Sequence, residues 1–135
     1  MQKFSSVLLV DDDTTTNFLH QLLFKRLDMA DEVLVALNGQ EALDLLRTHC
    51  PPVTAANPVL VLLDVKMPVM DGFAFLDAYK NLGLMQQGST IIMLSTSLHP
   101  HDVERVRQLP IAGFLNKPLT EAKLRTILEP KLPAL

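Results

Sequence analysis

A single cysteine, Cys50, leaves the chain no partner for an intrachain disulfide, so its core must be held by packing alone, as suits the reducing cytosol. Cys50 itself then reads as a small, half-buried hydrophobe. Long apolar runs are missing too, and nothing approaches the ~20 residues that a membrane-spanning helix needs. The N-terminal MQKFSSVLLV carries one early base, but its apolar run is too short for a secretory h-region and turns acidic at once. Basic clusters are also absent. The 12 Lys and Arg are interspersed among 15 acids for a net charge of -3, which leaves no stripe for a phosphate backbone and argues against direct nucleic-acid binding. Neither an internal repeat nor a low-complexity tract appears. These absences leave a soluble, cytoplasmic protein as the expectation.

What is present is apolar mass: 48% of the 135 residues, enough for one core and too little for two, so residues 1–135 read as a single domain. Short runs rich in Val, Ile and Leu alternate with longer amphipathic stretches, the pattern of parallel strands joined by helical crossovers. The strand candidates are SVLLV, EVLVAL, PVLVLLD, STIIMLS and AGFLN. The first, third and fourth are apolar at successive positions, as expected of strands covered on both faces. Between them, TTTNFLHQLLFKRL places Phe18, Leu19, Leu22, Leu23 and Leu27 on one helical face. GQEALDLLRTH does the same with Ala42, Leu45 and Leu46, and GFAFLDAYKNLGLM with Phe73, Leu76, Tyr79 and Leu82 or Gly83. HDVERVRQL offers Val103, Val106 and Leu109, and TEAKLRTILEP opens on a Thr120 cap and stops at Pro130. The spacing predicts an α/β chain of (βα)₅ type, with Cys50 to Pro58 as a loop.

Chemistry gathers where the strands end. The first strand runs into Asp11, Asp12 and Asp13, the third ends at Asp64, the fourth at Ser95 and Thr96, and Lys117 follows the fifth. In open parallel sheets ligands bind beyond the carboxyl ends of the strands. One terminal Asp is commonplace as a cap, but acids ending two strands with a lysine after another form a constellation. Converging carboxylates raise one another's pKa unless a cation sits between them, and hard oxygen donors suit Mg²⁺, which takes few carboxylates plus a phosphate oxygen. Successive residues point oppositely, so Asp12 and Asp11 are the expected ligands, with Asp13 capping from outside. Three carboxylates against Mg²⁺ and Lys117 sum to about zero charge, which leaves Asp64 able to accept a phosphoryl group. Ser95 can then hydrogen-bond one phosphoryl oxygen while Lys117 pairs another.

VDDD, LLDVKMPVMDGFAFL, IIMLSTS and GFLNKPL resemble, in order and across nearly the whole chain, the signature regions of response-regulator receiver domains of two-component signalling. The resemblance implies a flavodoxin-like, doubly wound parallel sheet of strand order 2-1-3-4-5, resembling stand-alone receivers with no output domain. It implies phosphorylation of Asp64 by a sensor histidine kinase, and Mg²⁺ held by Asp11, Asp12, Asp64 and the backbone carbonyl of Lys66. Ser95 and Phe114 match the family's switch pair, and Lys117-Pro118 its cis peptide. Phosphorylation would then reshape the face built by the fourth helix, fifth strand and fifth helix for a target protein, or pass the group to a histidine phosphotransfer protein. Thr96, Ser97 and Lys66 stand at positions that modulate access to the phosphoryl group and its lifetime. A haloacid-dehalogenase-like phosphatase shares the Asp nucleophile, but it needs a second Asp two residues on, where this chain has Lys66. A pseudo-receiver would lack the acceptor or the lysine, and Asp64 and Lys117 are both present. His20, His49, His99 and His101 lack metal-site spacing and read as surface residues.

Overall fold

Leu60 to Leu63 and Ile91 to Leu94 are apolar at every position, and all of them are buried, so each strand needs cover on both faces. The computed structural model describes residues 4–48, 57–81, 89–96, 100–109 and 111–128. Strands and helices alternate along it: β1 (Phe4–Val10), α1 (Thr14–Leu27), β2 (Ala30–Ala36), α2 (Gly39–Thr48), β3 (Val59–Asp64), α3 (Gly72–Asn81), β4 (Ser89–Ser95), α4 (Pro100–Arg107), β5 (Gly113–Asn116) and α5 (Glu121–Leu128). All pairings are parallel and the order is β2-β1-β3-β4-β5, the doubly wound arrangement that the resemblance implies.

The pleat divides the core into two clusters. Leu8, Val10, Val59, Val61, Leu63, Ile91 and Met93 join α2, α3 and α4 through Leu43, Phe75 and Val106 among others. The alternate positions Val7, Leu9, Leu60, Leu62, Ile92 and Leu94 join α1 and α5 through Phe24 and Leu124. Two helices therefore cover one face and three the other. No helix among the described residues is long and apolar enough to cross a membrane.

The first helix departs from its expected orientation. Phe18, Leu19 and Leu22 are exposed, at 58%, 57% and 49%, while Asn17, His20 and Phe24 are buried and Leu23 and Leu27 lie part-buried beside them. The apolar count favoured the wrong arc because a polar residue, Asn17, is drawn inward by a hydrogen bond to the end of β1. His20 lies one turn on from it and is only 7% exposed, contrary to the surface placement expected of the histidines. Burial holds its imidazole below the ordinary value, with the Asp11 charge opposing and the Lys117 charge adding to the effect. In α2, Leu43 is buried where Leu45, only partly buried, was expected. Strand β2 starts at Ala30, earlier than EVLVAL, because Ala30 pairs with Phe4. Cys50, most of the 50–58 loop, Leu82, Gly83, His49, Ser97 and His99, and the side chains of His101 and Val103, lie outside the described residues.

Candidate functional site

Register brings the acids level. Val10 pairs with Leu63 and Asp64 with Leu94, so Asp11 and Asp64 leave neighbouring strands at the same edge. Oxygens of Asp11, Asp12 and Asp64 lie within 4.8 Å of one another. Asp11 and Asp64 are buried, and Asp12, in the bend that follows β1, is exposed.

Lys117 closes the cluster. Its Nζ donates to Asp11 Oδ2 at 2.6 Å and stands 3.4 Å from Asp64 Oδ1. Burial alone would lower its pKa, but the hydrogen bond and charge of Asp11, aided by Asp64, win and raise it. Asp64 is pushed up from 3.8 to about 6, first by burial and then by the Asp11 charge, with Lys117 pulling back. The expected rise is therefore present, with desolvation ahead of repulsion as its cause.

Local structure sets each of these groups. Asp13 caps α1, accepting from Thr15 N–H at 3.0 Å and Thr16 Oγ1 at 2.7 Å, and these bonds hold its carboxyl below the usual range. Its own N–H donates to Asp11 Oδ1 at 2.9 Å, which orients that carboxylate. After β3 the chain turns at Pro68–Met70, where Met70 N–H donates to Pro68 O at 2.7 Å and Val69 is held at φ 68. Asp71 then caps α3 by accepting from Ala74 N–H at 2.8 Å. Gly72 is required by space, since a Cβ there would stand 2.6 Å from the Asp64 carbonyl oxygen. Lys117 N–H donates to Ser95 O at 2.9 Å, and Lys117-Pro118 is cis, as the resemblance implied.

Ser95 is buried, and Thr96 is exposed at the rim. Thr96 lines a cavity of about 320 Å³ with Thr16, Leu19, His20, Lys117, Pro118 and Leu119. Phe114 is part-buried against the α2/α3/α4 cluster, in register with Met93, and so shares the strand parity of Ser95. The Lys66 side chain is exposed. The donor set fits a hard divalent cation, because among the described residues the converging groups are three carboxylates, with no imidazole or thiol, beside a compensating ammonium.

Two supporting residues escaped the sequence reading. Asn17 Nδ2 donates to the Asp11 carbonyl at 2.8 Å, tying α1 to the acidic strand end, and its one visible signal is a polar residue inside an apolar helix. Gly39 N–H donates to Met70 O at 3.2 Å, and a Cβ there would stand 2.8 Å from Met70 Cγ, so α2 begins against the loop after Asp64. The only hint was Asn38-Gly39, which reads equally well as a simple turn.

The family description of the response regulator receiver domain matches residues 7–129. The chain is 32% identical over 123 residues to the two-component response regulator 24 of Arabidopsis thaliana, covering 91% of this chain and 81% of that protein. It is also 32% identical over 124 residues to the autoinducer 1 sensor kinase/phosphatase LuxN of Vibrio campbellii, covering 91% of this chain and 13% of LuxN. Among solved structures it resembles a response regulator receiver protein from Dyadobacter fermentans, with a TM-score of 0.77 and 28% identity over 92% of this chain and 94% of that one. Receiver domains are phospho-accepting signalling domains that partner with sensor histidine kinases and bind Mg²⁺ at an acidic pocket, and here Asp11, Asp12 and Asp64 could hold such an ion. Fold, acidic strand ends and matches agree over most of the length, and the chain belongs to the response regulator receiver domain family of two-component signalling.

Proposed function

We propose that Asp64 accepts a phosphoryl group from a phosphohistidine of a sensor kinase or of a histidine phosphotransfer protein, in a Mg²⁺-dependent reaction to which this chain contributes the catalytic groups. The observation that carries the reading is the buried Asp64 carboxyl facing Lys117 Nζ at 3.4 Å in a cluster with Asp11 and Asp12. Asp11, Asp12, Asp64 and the Lys66 carbonyl are the groups proposed to hold the ion. Bound there, Mg²⁺ supplies positive charge against the oxygens of the transferring group.

An Asp64 oxygen attacks phosphorus as the P–N bond of the donor breaks, and the imidazole leaves with the electron pair. Lys117 is released from Asp11 to pair with one phosphoryl oxygen, and the Ser95 hydroxyl donates to another. Water later cleaves the acyl phosphate and regenerates Asp64, with Lys66, Thr96 and Ser97 governing its approach. Burial supports this use of Asp64, because electrostatic groups act more strongly on charge in a dry site. Leu19 lines the cavity beside Lys117 and, with Phe18 and Leu22, is exposed on α1, an apolar surface that suits docking of a macromolecular donor.

Signalling then proceeds by a population shift. Ser95 moves toward the phosphoryl group, Phe114 turns into the space beneath, and the α4/β5/α5 face changes shape for its target. Their shared parity and the partial burial of Phe114 support the pairing. A cytoplasmic site of action agrees with the single cysteine. The test is intact-mass spectrometry after incubation with acetyl phosphate. One phosphoryl adduct should form with Mg²⁺ and vanish with EDTA; an adduct indifferent to EDTA would refute the cation's role, and none at all would refute phosphoacceptance.

A further inference from the structure

Lys123 occupies the first turn of α5, where the partial positive charge of a helix N-terminus disfavours a cation. Its side chain has a local reason to be there. Nζ donates to the Asn116 carbonyl at 2.9 Å and to the Pro118 carbonyl at 2.8 Å, the residues on either side of Lys117. The base of Lys123 is anchored as well, because its N–H donates to Thr120 Oγ1 at 3.2 Å. A further backbone tie is the Lys117 N–H to Ser95 O bond at 2.9 Å. The segment 116–118 is thus gripped at both flanks by one ammonium and at its centre by β4. Charge-assisted bonds of this kind are the stronger ones, and the two carbonyl dipoles solvate the ammonium that α5 disfavours.

We infer that Lys123 is a positioning residue for phosphoryl transfer: it fixes the backbone from which Lys117 reaches Asp11 and Asp64. Lys117 presents a point charge on a flexible four-carbon stem, so a shift at its backbone is carried to its tip. The tip has two partners at once, at 2.6 and 3.4 Å, and little slack for both. Phosphoryl transfer depends mostly on positioning and electrostatics, so looseness here costs rate without touching the carboxylates. The inference rests on the phosphoacceptor reading for its chemistry, though not for its geometry.

The test compares Lys123→Met, Lys123→Arg and, as a control for charge alone, Lys80→Met in the last turn of α3. Acetyl phosphate is the donor, and three quantities are read: initial phosphorylation rate, Mg²⁺ affinity and hydrogen exchange at the Lys117 amide. Lys123→Met should phosphorylate about tenfold more slowly, with Mg²⁺ affinity and Tm essentially unchanged and faster exchange at Lys117. Lys123→Arg, which keeps charge and paired donors, should recover most of the rate, and Lys80→Met should match wild type. Wild-type rate and exchange in Lys123→Met would overturn the inference, as would an equal loss in Lys80→Met. So would a parallel fall of rate, Mg²⁺ affinity and Tm, which is the mark of a merely structural role. Should the Met variant not fold, Lys123→Gln is read by the same criteria. If wild type itself takes no phosphate, the phosphoacceptor reading fails, and the exchange measurement alone still decides whether Lys123 holds Lys117.

Discussion

Asn in place of Asp64 should make the metal-free protein more stable. The Asp64 carboxyl is buried beside the Asp11 charge, and its pKa rises from 3.8 to about 6. That rise corresponds to about 3 kcal/mol of unfavourable interaction in the ionised native state. That figure is already net of the attraction to Lys117, so an amide, which carries no charge to desolvate, should gain about 3 kcal/mol at pH 7.5. The sign follows from linkage: a folded-state pKa raised above the unfolded one favours the native state at low pH. This contribution is complete below pH ~4, is lost as pH rises through about 6, and is flat above that. Urea unfolding in EDTA measures it, with wild type and Asp64→Asn compared at pH 7.5 and pH 4.5. The variant should unfold at higher urea at pH 7.5, and the gap should shrink to about a third of that at pH 4.5, where Asp64 is neutral in the native state but still largely ionised in the unfolded chain. Adding Mg²⁺ should stabilise wild type more than the variant, because only wild type keeps all three acids. A variant no more stable at pH 7.5, or a gap independent of pH, would refute the reasoning.

Four other substitutions separate local causes. Val69→Gly removes a β-branched residue held at φ 68 and 84% exposed; relief of ~1–2 kcal/mol against a glycine cost of ~0.5–1 kcal/mol should give a small net rise in Tm. Phe24→Ala should cost about 3–5 kcal/mol, whereas Phe18→Ala should stay within about 0.5 kcal/mol, and equal losses in urea melts would contradict the orientation of α1. Asp13→Ala deletes the cap bonds to Thr15 and Thr16 and should cost about 1 kcal/mol. Calorimetric Mg²⁺ titration of that variant should show little change; abolished binding would make Asp13 a ligand.

Strands were legible because burial on both faces leaves continuous apolar runs, and STIIMLS became β4 from Ser89 to Ser95 without adjustment. The carboxylates and Lys117 were legible because charge at the end of a buried strand has few structural uses. The face of α1 was not. Its sequence carries apolar residues around much of the helix, and the deciding contact, Asn17 to the Asp11 carbonyl, joins a polar side chain to a backbone atom that no periodicity records. The same holds for Lys123, whose bonds to Asn116 and Pro118 exist only once α5 folds back beside β5. Lysine in a first turn looks like an unfavourable charge until its acceptors are in place. Gly39 shows a further limit: the need for glycine comes from Met70, a residue distant in sequence.

The central claim is that Asp64, rather than either neighbouring acid, carries the phosphoryl group. Borohydride reduction of the protein after incubation with acetyl phosphate and Mg²⁺ converts an aspartyl phosphate to homoserine, and peptide mapping reads its position. Homoserine at position 64 alone is the expected result. Homoserine at position 11 or 12, or at none of the three, would contradict the account.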